Sequence, residues 1–416
     1  MKPRKIEGYG PLGAVFNALS SIWLACVLLG CMMVLTFFGT YAQITLGLHG
    51  AIEAYFKSWF VVVDAQGAQG VPVLDPLFGL LDTIGLGGFP IFPGGLICMG
   101  LLSLNMFLGG FVRMRINLRN TGVVITHIGI AFMLIAGMVK TLTAEEGKIS
   151  LIEGQSTNFF DSYHDWEVAV WDLDAPLTGE ELVIGHDLIA DLTGDAKRTF
   201  THPDLPFELE LSGFVTNCRV EEKGPMWEAA GPVVDGWGIL EMPNEKEGEF
   251  NMAGMHATVR LPDGSSQGAL LWGRQFAPFT VHVGDKRYAL DMRHERYPIP
   301  FTLRLDDFIK DDHPGMSMAR AFKSHVTRID GDGEQSILIQ MNEPLREGSL
   351  VMFQSSFNQA GGRELSVFSV VRNVSDKWPE YAMWVTTFGM LWVFGFKLVE
   401  FVRRESKRTA QAAGGK

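Results

Sequence analysis

Long apolar runs recur four times along the chain, and the stretches between them are polar or strictly alternating. A helix that crosses a bilayer needs roughly 20 mostly apolar residues. Runs such as IWLACVLLGCMMVLTFF reach that length with almost no charge. The pattern predicts four membrane-spanning helices, at residues 16–40, 88–112, 121–142 and 381–402.

The segment 46–63, after the first span, has apolar positions at helical spacing but is too polar to cross a membrane. Glu53 and Lys57 fall four positions apart on its polar side, where they can pair. Tyr55 and Trp59 suit the depth of a membrane interface. We therefore predict an interfacial helix on the outer surface. The Gly- and Pro-rich stretch that follows, up to the second span, predicts a loop.

Between the third and fourth spans the apolar positions alternate, as they do in β-strands. Ten short segments show this pattern, from DWEVAVWDL to ELSVFSVVR. The turns GDK and DGDG each predict a hairpin. Residues 143–380 therefore predict an extracytoplasmic all-β domain, either a sandwich or an open barrel. Within it, residues 221–254 are rich in Gly, Pro and Glu and predict a long insertion loop.

The chain thus divides into a first membrane part (1–142), the β-rich domain (143–380), and a last span with a basic tail (381–416). Basic residues cluster beside three span ends: Lys2, Arg4 and Lys5; Arg113, Arg115 and Arg119; and Arg403, Arg404, Lys407 and Arg408. The positive-inside rule then predicts that both termini are cytoplasmic.

Charge separates the same two regions. The β-rich domain has 40 acidic and 21 basic residues, a formal charge of −19, whereas the rest of the chain carries +7. An acidic surface of this kind excludes nucleic-acid binding, which needs a basic face.

Motifs for most catalytic chemistry are absent from the sequence. The four cysteines form no CxxC or CxxCH, and there is no GxSxG, SxxK or P-loop. The histidines outside the spans form no HxxxH or HExxH pair. We therefore predict no metal or active site in the β-rich domain, and interpret it as a scaffold or docking surface.

His127 is the only histidine within a predicted span. It lies about 10 Å from the inner end of its helix, at 1.5 Å rise per residue. An ionisable side chain at that depth is costly and indicates a functional site. Its imidazole could ligate haem iron, and the small Thr126 and Gly129 beside it would let a flat macrocycle or a neighbouring helix come close. It could equally make a hydrogen bond that packs two helices. The residues alone leave both possibilities open.

Several segments resemble one known family. They are TFFGTYAQITLGLHGAIEAYFKSWF, TGVVITHIGIAFMLIAGM, GKISLIEGQS, and above all MNEPLREGSLVMFQSSF followed by LSVFSVVRNVSDKWPEY. In these segments the chain resembles the ResB/CcsB family of cytochrome c biogenesis proteins. The histidine followed by glycine two positions on, His127 and Gly129 here, matches the third span of that family.

The resemblance implies a subunit of the System II cytochrome c synthetase in the bacterial cytoplasmic membrane. His127 would be an axial ligand of haem b held transiently and non-covalently within the membrane. The implied partners are a CcsA/ResC-type membrane protein carrying a WWD segment and an apocytochrome c that receives haem on CxxCH. This chain lacks the WWD segment, since HDWEVAVWDLD reads as a strand, so it should not be catalytic alone.

Two other functions remain open at this point. The chain could be a non-catalytic assembly or scaffold subunit of a larger membrane redox complex, with the β-rich domain as its interaction module. It could also be a tethered hydrolase, if folding assembled a catalytic constellation that the sequence does not display.

Overall fold

A computed structural model describes most of the chain, namely residues 10–63, 89–113, 117–175, 181–224, 231–313, 319–360 and 363–413. The chain forms two compact units. The helical unit comprises Met1–Ala144 and Asn373–Lys416, and the β unit comprises Glu145–Arg372.

Helices make up most of the helical unit. In its described residues they are α1 (Gly10–Leu19), α2 (Ile22–Ala51, continued by the π-turn Ile52–Phe56), α3 (Gly95–Phe107, continued by the π-turn Leu108–Val112), α4 (Thr121–Thr143) and α5 (Trp378–Ala413). The segments Ile22–Phe56, Gly95–Val112, Thr121–Thr143 and Trp378–Gln411 are long and apolar enough to cross a membrane. The prediction of four such helices is confirmed, and they indicate a membrane protein.

The first predicted span differs in detail from the structure. The helix breaks between Leu19 and Ile22, and α2 then continues well past residue 40. It kinks at Gly47, whose φ of 70° and ψ of 177° suit a residue without a β-carbon. The predicted interfacial helix at 46–63 is helical only as far as Phe56, because Phe60–Val63 forms strand β1.

The second and fourth spans also change length. Strand β2 (Phe89–Pro93) pairs with β1, so α3 begins at Gly95 rather than at residue 88. Pro90 and Pro93 favour this extended backbone because proline cannot donate to a helical hydrogen bond. Helix α5 runs beyond residue 402 because the following tail is rich in good helix formers.

Small residues hold α4 and α5 together. A β-carbon placed on Gly122 would lie 2.7 Å from the Gly389 carbonyl oxygen, and one on Gly389 would lie 2.5 Å from Thr126 Oγ1. A β-carbon on Gly129 would overlap Thr386 Oγ1 and lie 2.7 Å from the Thr386 amide nitrogen. Such close approach lets the two backbones pack directly, as small residues do between membrane helices.

The β unit contains sixteen strands in its described residues. They are β3 (Glu145–Ile152), β4 (Ser156–Asp172), β5 (Leu182–Ile184), β6 (Lys197–Phe200), β7 (Glu208–Val215), β8 (Cys218–Glu222), β9 (Trp237–Glu241), β10 (Gly254–Arg260), β11 (Ser266–Trp272), β12 (Phe279–Val283), β13 (Lys286–Asp312), β14 (Ala319–Asp330), β15 (Gly333–Gln340), β16 (Leu345–Glu347), β17 (Leu350–Ala360) and β18 (Arg363–Arg372). The prediction of a large all-β region is confirmed.

Most of these strands form one large sheet and one smaller, four-stranded sheet. The large sheet has the order β15-β14-β13-β4-β3-β18-β17-β16, with β5 and β12 added beside β4 and β13, and it is nearly closed. The smaller sheet has the order β11-β10-β7-β6. Both predicted hairpins are confirmed: β12 turns into β13 at Gly284, and β14 turns into β15 after Asp330.

The long strands β4 and β13 contribute to two separate cores. Their Trp166, Val168 and Leu290 pack against the smaller sheet in what we call the sandwich core. Phe160 and Leu303, further along the same strands, enter a second cluster enclosed by the large sheet, the barrel core. The β unit therefore combines the two architectures that the sequence left as alternatives.

The predicted insertion loop at 221–254 is wrong in part. Trp237–Glu241 is strand β9, which pairs with β8 to form a two-stranded sheet. Gly238 and Ile239 in WGILE are both buried, so this strand shows no alternation that the sequence could reveal, and the residues around it are polar. Residues 225–230, within the same segment, lie outside the described part of the chain.

Candidate functional site

His127 lies on α4, two turns from the start of the helix, and is half-buried. Its Nδ1 is 2.7 Å from the carbonyl oxygen of Val123, one turn earlier. A carbonyl can only accept, so in the neutral ring Nδ1 carries the proton and Nε2 carries the lone pair. Among the described residues Nε2 has no hydrogen-bond partner. The helix itself thus orients the ring as a ligand donor, as a backbone carbonyl does for many metal-ligating histidines.

Gly110 lies beside the ligand edge of this ring. A β-carbon on Gly110 would lie 2.5 Å from His127 Cδ2 and 3.4 Å from Nε2. Any larger residue would therefore push into the ring and crowd the lone pair. Gly110 belongs to the π-turn that ends α3, and such turns frequently occur at functional sites.

The break between α1 and α2 lies on the other side of the same π-turn. A β-carbon on Gly109 would lie 3.3 Å from the Ser20 carbonyl oxygen. Asn105 Nδ2 donates to the carbonyls of Leu19 (2.6 Å) and Ser21 (2.9 Å), while Ser20 itself is buried. The bond to Leu19 satisfies a carbonyl that the broken helix leaves without a backbone partner among the described residues, whereas the Ser21 carbonyl also accepts from the Ala25 amide (3.3 Å). We call this feature the Ser20 break.

Arg113 closes the polar set around the Ser20 break. Its Nη1 donates to the carbonyl oxygen of Ser20 (3.3 Å) and to Ser20 Oγ (3.2 Å). Its Nε is buried and has no hydrogen-bond partner. His127 and Arg113 therefore approach adjacent sides of the pair Gly109–Gly110.

The small neighbours of His127 take the second of the two roles that the sequence allowed, close contact with a neighbouring helix. Thr126 and Gly129 face α5, where Thr126 meets Gly389 and Gly129 meets Thr386. They pack a neighbouring helix and leave no space there for a macrocycle. The helix-packing alternative for His127 requires a hydrogen bond to another helix, whereas the hydrogen bond of Nδ1 stays within α4.

The β unit brings together side chains that are far apart in sequence. Residues 162–165 of β4 bulge opposite the single residue Glu295 of β13. Asp165 Oδ2 accepts from Ser162 Oγ (3.0 Å) and Tyr297 Oη (3.1 Å). His186 approaches the other oxygen of Asp165 at 3.8 Å. Bulges of this kind bend a strand and redirect its side chains.

The histidines around this bulge are held by internal contacts. His186 Nδ1 accepts from the Trp166 amide (3.2 Å), and the His186 amide donates to Glu295 Oε2 (3.2 Å). His294 stacks on Trp166 with ring centroids 4.0 Å apart. Burial, together with the charge of Lys148, lowers the pKa of His294 to about 4. Burial also raises the pKa of Glu295, and the nearby carboxylate of Asp165 adds to this effect. The cluster links β4 to β13 at the bulge, and we interpret it as structural.

Neither a metal site nor a reactive thiol emerges in the β unit. No group of three or more His, Cys, Asp or Glu side chains among the described residues is arranged to hold a metal ion. Burial raises the pKa of Cys218 to about 12, so its thiol stays protonated and unreactive at neutral pH.

These observations first define a class: a membrane protein whose described residues form apolar helices, one of which carries His127 with its Nδ1 bonded within the helix, and an all-β unit. Residues 246–390 match the model of the ResB-like family, which confirms the resemblance drawn from the sequence. That family is associated with cytochrome c biogenesis. The matched range runs from the end of the predicted insertion into α5 and does not include His127. No curated protein is significantly similar to the chain.

The family motifs lie mainly in the barrel core. Gln354, from FQSSF, accepts a hydrogen bond from Ser324 Oγ (2.6 Å) and donates one to Ser366 Oγ (3.0 Å). All three side chains are buried. Phe357, at the end of the motif, packs on Phe308 and Phe322. The most recognisable part of the sequence therefore specifies the fold of the β unit.

Sequence reasoning identified His127 but missed its surroundings. From the sequence, Gly110 was only one residue of the second predicted span. Arg113 was only one of the basic residues that predict the membrane orientation. The adjacent pair Gly109–Gly110 near the end of a membrane helix was an available clue, because glycine there permits close approach. The bulge of β4 has no such clue, since Glu295 and Tyr297 on the facing strand lie more than 100 positions away in sequence.

Proposed function

We propose that this chain is a haem-handling membrane subunit of a cytochrome c synthetase. It would help to carry haem b to the outer face of the membrane, where haem is attached to the CxxCH of apocytochrome c. A WWD-containing membrane protein of the CcsA/ResC type would supply the attachment site and a second iron ligand. Both termini would be cytoplasmic and the β unit extracytoplasmic, as the basic clusters predict.

One observation carries this proposal: the hydrogen bond from His127 Nδ1 to the Val123 carbonyl, which leaves the Nε2 lone pair free beside Gly110. A histidine kept only for helix packing would gain more by bonding to another helix. The imidazole here is instead fixed in the tautomer that a haem iron requires. The family association with cytochrome c biogenesis supports the same cargo.

The residues of the helical unit fit such a cargo. Haem is a broad apolar plate with carboxylates at one edge, so a carrier needs apolar surroundings, one iron ligand and a polar margin. The spans are apolar, His127 offers the ligand, and Arg113 with the Ser20 break offers the polar margin. His127 would hold the iron and so fix the orientation of the plate.

The direct test is the haem spectrum of the protein purified in mild detergent together with its membrane partners. We expect haem with two nitrogen ligands in the wild type. In His127→Ala the spectrum should be lost or shifted, and added imidazole should restore it. His49→Ala, which removes the histidine near the Gly47 kink, serves as the matched control and should keep the spectrum. A wild-type complex without haem, or a spectrum unchanged in His127→Ala, would overturn the proposal.

Gly110 provides a second, independent test of the same site. Gly110→Ala places a methyl group 3.4 Å from Nε2, so haem should bind about tenfold more weakly, a loss of roughly 1.4 kcal/mol. Gly100→Ala, on the same helix with open space around it, is the control. Equal haem affinity in both variants would mean that the cargo does not approach His127 from this side.

The scaffold function remains the second candidate. It is favoured by the β unit, in which Gln354 and Asp165 are hydrogen-bonded within the unit and whose described residues offer no metal site. On that reading His127→Ala would leave cytochrome c maturation unchanged, whereas deletion of residues 145–372 would release the partners. Measuring maturation and co-purification in the two variants separates the candidates.

A further inference from the structure

Arg113 carries a charge that the described residues do not neutralise. Its guanidinium contacts only neutral groups, the carbonyl and hydroxyl of Ser20. No carboxylate lies within ion-pair distance of it in the described part of the chain, and its Nε is buried without a partner. A partly buried cation without a counter-charge is costly, and more so near the membrane.

Arg119, in the same link between α3 and α4, shows the contrast. Its Nη2 is 3.4 Å from Glu400 Oε2 on α5, so its charge is paired within the protein. Arg119 is also more exposed, with 65% of its side chain accessible. The two arginines therefore share a location in the sequence but differ in whether a carboxylate is supplied by the chain.

Position adds to the argument from charge. Arg113 reaches the Ser20 break on the Gly109 side of the π-turn, and the His127 ring lies on the Gly110 side. Two consecutive glycines thus separate an iron ligand from an unpaired guanidinium. Guanidinium groups bind carboxylates through their N–H groups in a planar geometry. In Arg113, Nη1 donates to Ser20 and Nε is buried, so Nη2 is the nitrogen that the described residues leave for a carboxylate.

We propose that Arg113 binds a propionate of the porphyrin that His127 ligates, and so sets which edge of the plate faces the Ser20 break. This inference rests on the proposed haem function. Arg113 is a positioning residue: it selects dicarboxylate porphyrins and their orientation, while iron ligation stays with His127.

The test uses metal-free protoporphyrin IX and its dimethyl ester, which has the same ring without the carboxylates. Binding of each to the full-length protein in nanodiscs is followed by porphyrin fluorescence, with empty nanodiscs as the blank. In the wild type the free acid should bind about tenfold more tightly than the ester, as a charge-assisted hydrogen bond of roughly 1.5 kcal/mol implies. Arg113→Gln should remove this preference, Arg113→Lys should keep part of it, and Arg119→Gln should leave it intact.

Because the preference is a ratio within one variant, a general loss of stability does not imitate it. If the wild type shows no preference while the iron porphyrin still gives the two-nitrogen spectrum, the Arg113 proposal is wrong and the haem function stands. If Arg113→Gln instead releases only an anionic phospholipid, the guanidinium serves a lipid phosphate and the proposal is also overturned. If no porphyrin binds at all, both proposals fall.

Discussion

The helical unit and the β unit are stabilised in opposite ways. In the spans only 6–22% of residues are buried within the chain, whereas the β unit encloses two cores with side chains such as Phe368 and Leu209 at 0% exposure. In lipid there is no hydrophobic gain from pressing helices together, so glycines and threonines set the helix contacts. In the β unit water supplies that gain, and large apolar side chains dominate.

This difference changes what a polar residue means. In the β unit Glu167 is almost fully buried, yet Arg293 pairs with it at 2.7 Å, and the bond completes the structure. The same unit also holds buried polar atoms without a hydrogen-bond partner, among them the Nε atoms of Arg296 and Arg328, but both guanidinium groups have a carboxylate within ion-pair distance. Among the described residues of the helical unit, Arg113 has no such carboxylate and His127 Nε2 has no hydrogen-bond partner, and under the proposed function these are the two groups that haem would satisfy.

The largest expected effect is in the barrel core. Phe368→Ala should lower the free energy of unfolding of the β unit by about 4 kcal/mol, because it removes a fully buried ring and leaves a cavity. Phe276→Ala, at a fully exposed phenylalanine of the same unit, should change it little. Hydrogen exchange of the β-strand peptides in the full-length protein would measure both. Equal effects would contradict a barrel core centred on Phe368.

The second test addresses the helix pair. Gly129→Leu should destabilise the contact between α4 and α5 by about 3 kcal/mol, because the side chain would overlap Thr386 and force the backbones apart. Gly137→Leu, on the same helix, has open space around it and should be tolerated. Thermal unfolding in detergent gives the comparison. If both variants behaved alike, the close packing of α4 on α5 would be wrong.

The two units were also unequally predictable from sequence. Four spans could be predicted because an apolar run of this length has few other stable environments, but their ends could not. The ends of the helices depend on local structure that an apolar run does not reveal. Pro90 and Pro93 lie in a strand that pairs with β1, and Gly47 kinks α2. In the β unit the alternation and both hairpins were readable. The continuation of β13 through RHERYPIP was not, because tyrosine, prolines and charges there conceal a strand.

The candidate site, too, could be predicted from the sequence only in part. His127 stood out because a lone ionisable residue in an apolar run is conspicuous. Its tautomer, its contact with Gly110 and the unpaired state of Arg113 are tertiary facts that no spacing encodes. Similarly, the buried contact of Ser324 with Gln354 and Ser366 links strands β14, β17 and β18, and sequence separation hides it.

The smallest effect, and the finest test of the contrast, concerns pH. The fold lowers the pKa of His294 from 6.5 to about 4, chiefly by burial, so it favours the neutral ring. The unfolded chain therefore takes up this proton first, and stability should fall as the pH drops from 6.5 toward 4, by about 2 kcal/mol. Burial raises the pKa values of Glu295 and Asp161, so these groups lower the stability of the fold as the pH rises above their ordinary pKa values, opposite to the effect of His294.

The quantity to measure is thus the difference between wild type and His294→Phe, which keeps a ring against Trp166 but cannot titrate. Hydrogen exchange of β4 peptides at pH 4.5 and 6.5 should show a smaller acid loss in His294→Phe, while His282→Phe, at an exposed histidine on β12, should retain the wild-type loss. An unchanged acid loss in His294→Phe would mean that His294 is not the group held neutral in the folded β unit. The polar clusters of the β unit would then need an interpretation other than a structural one.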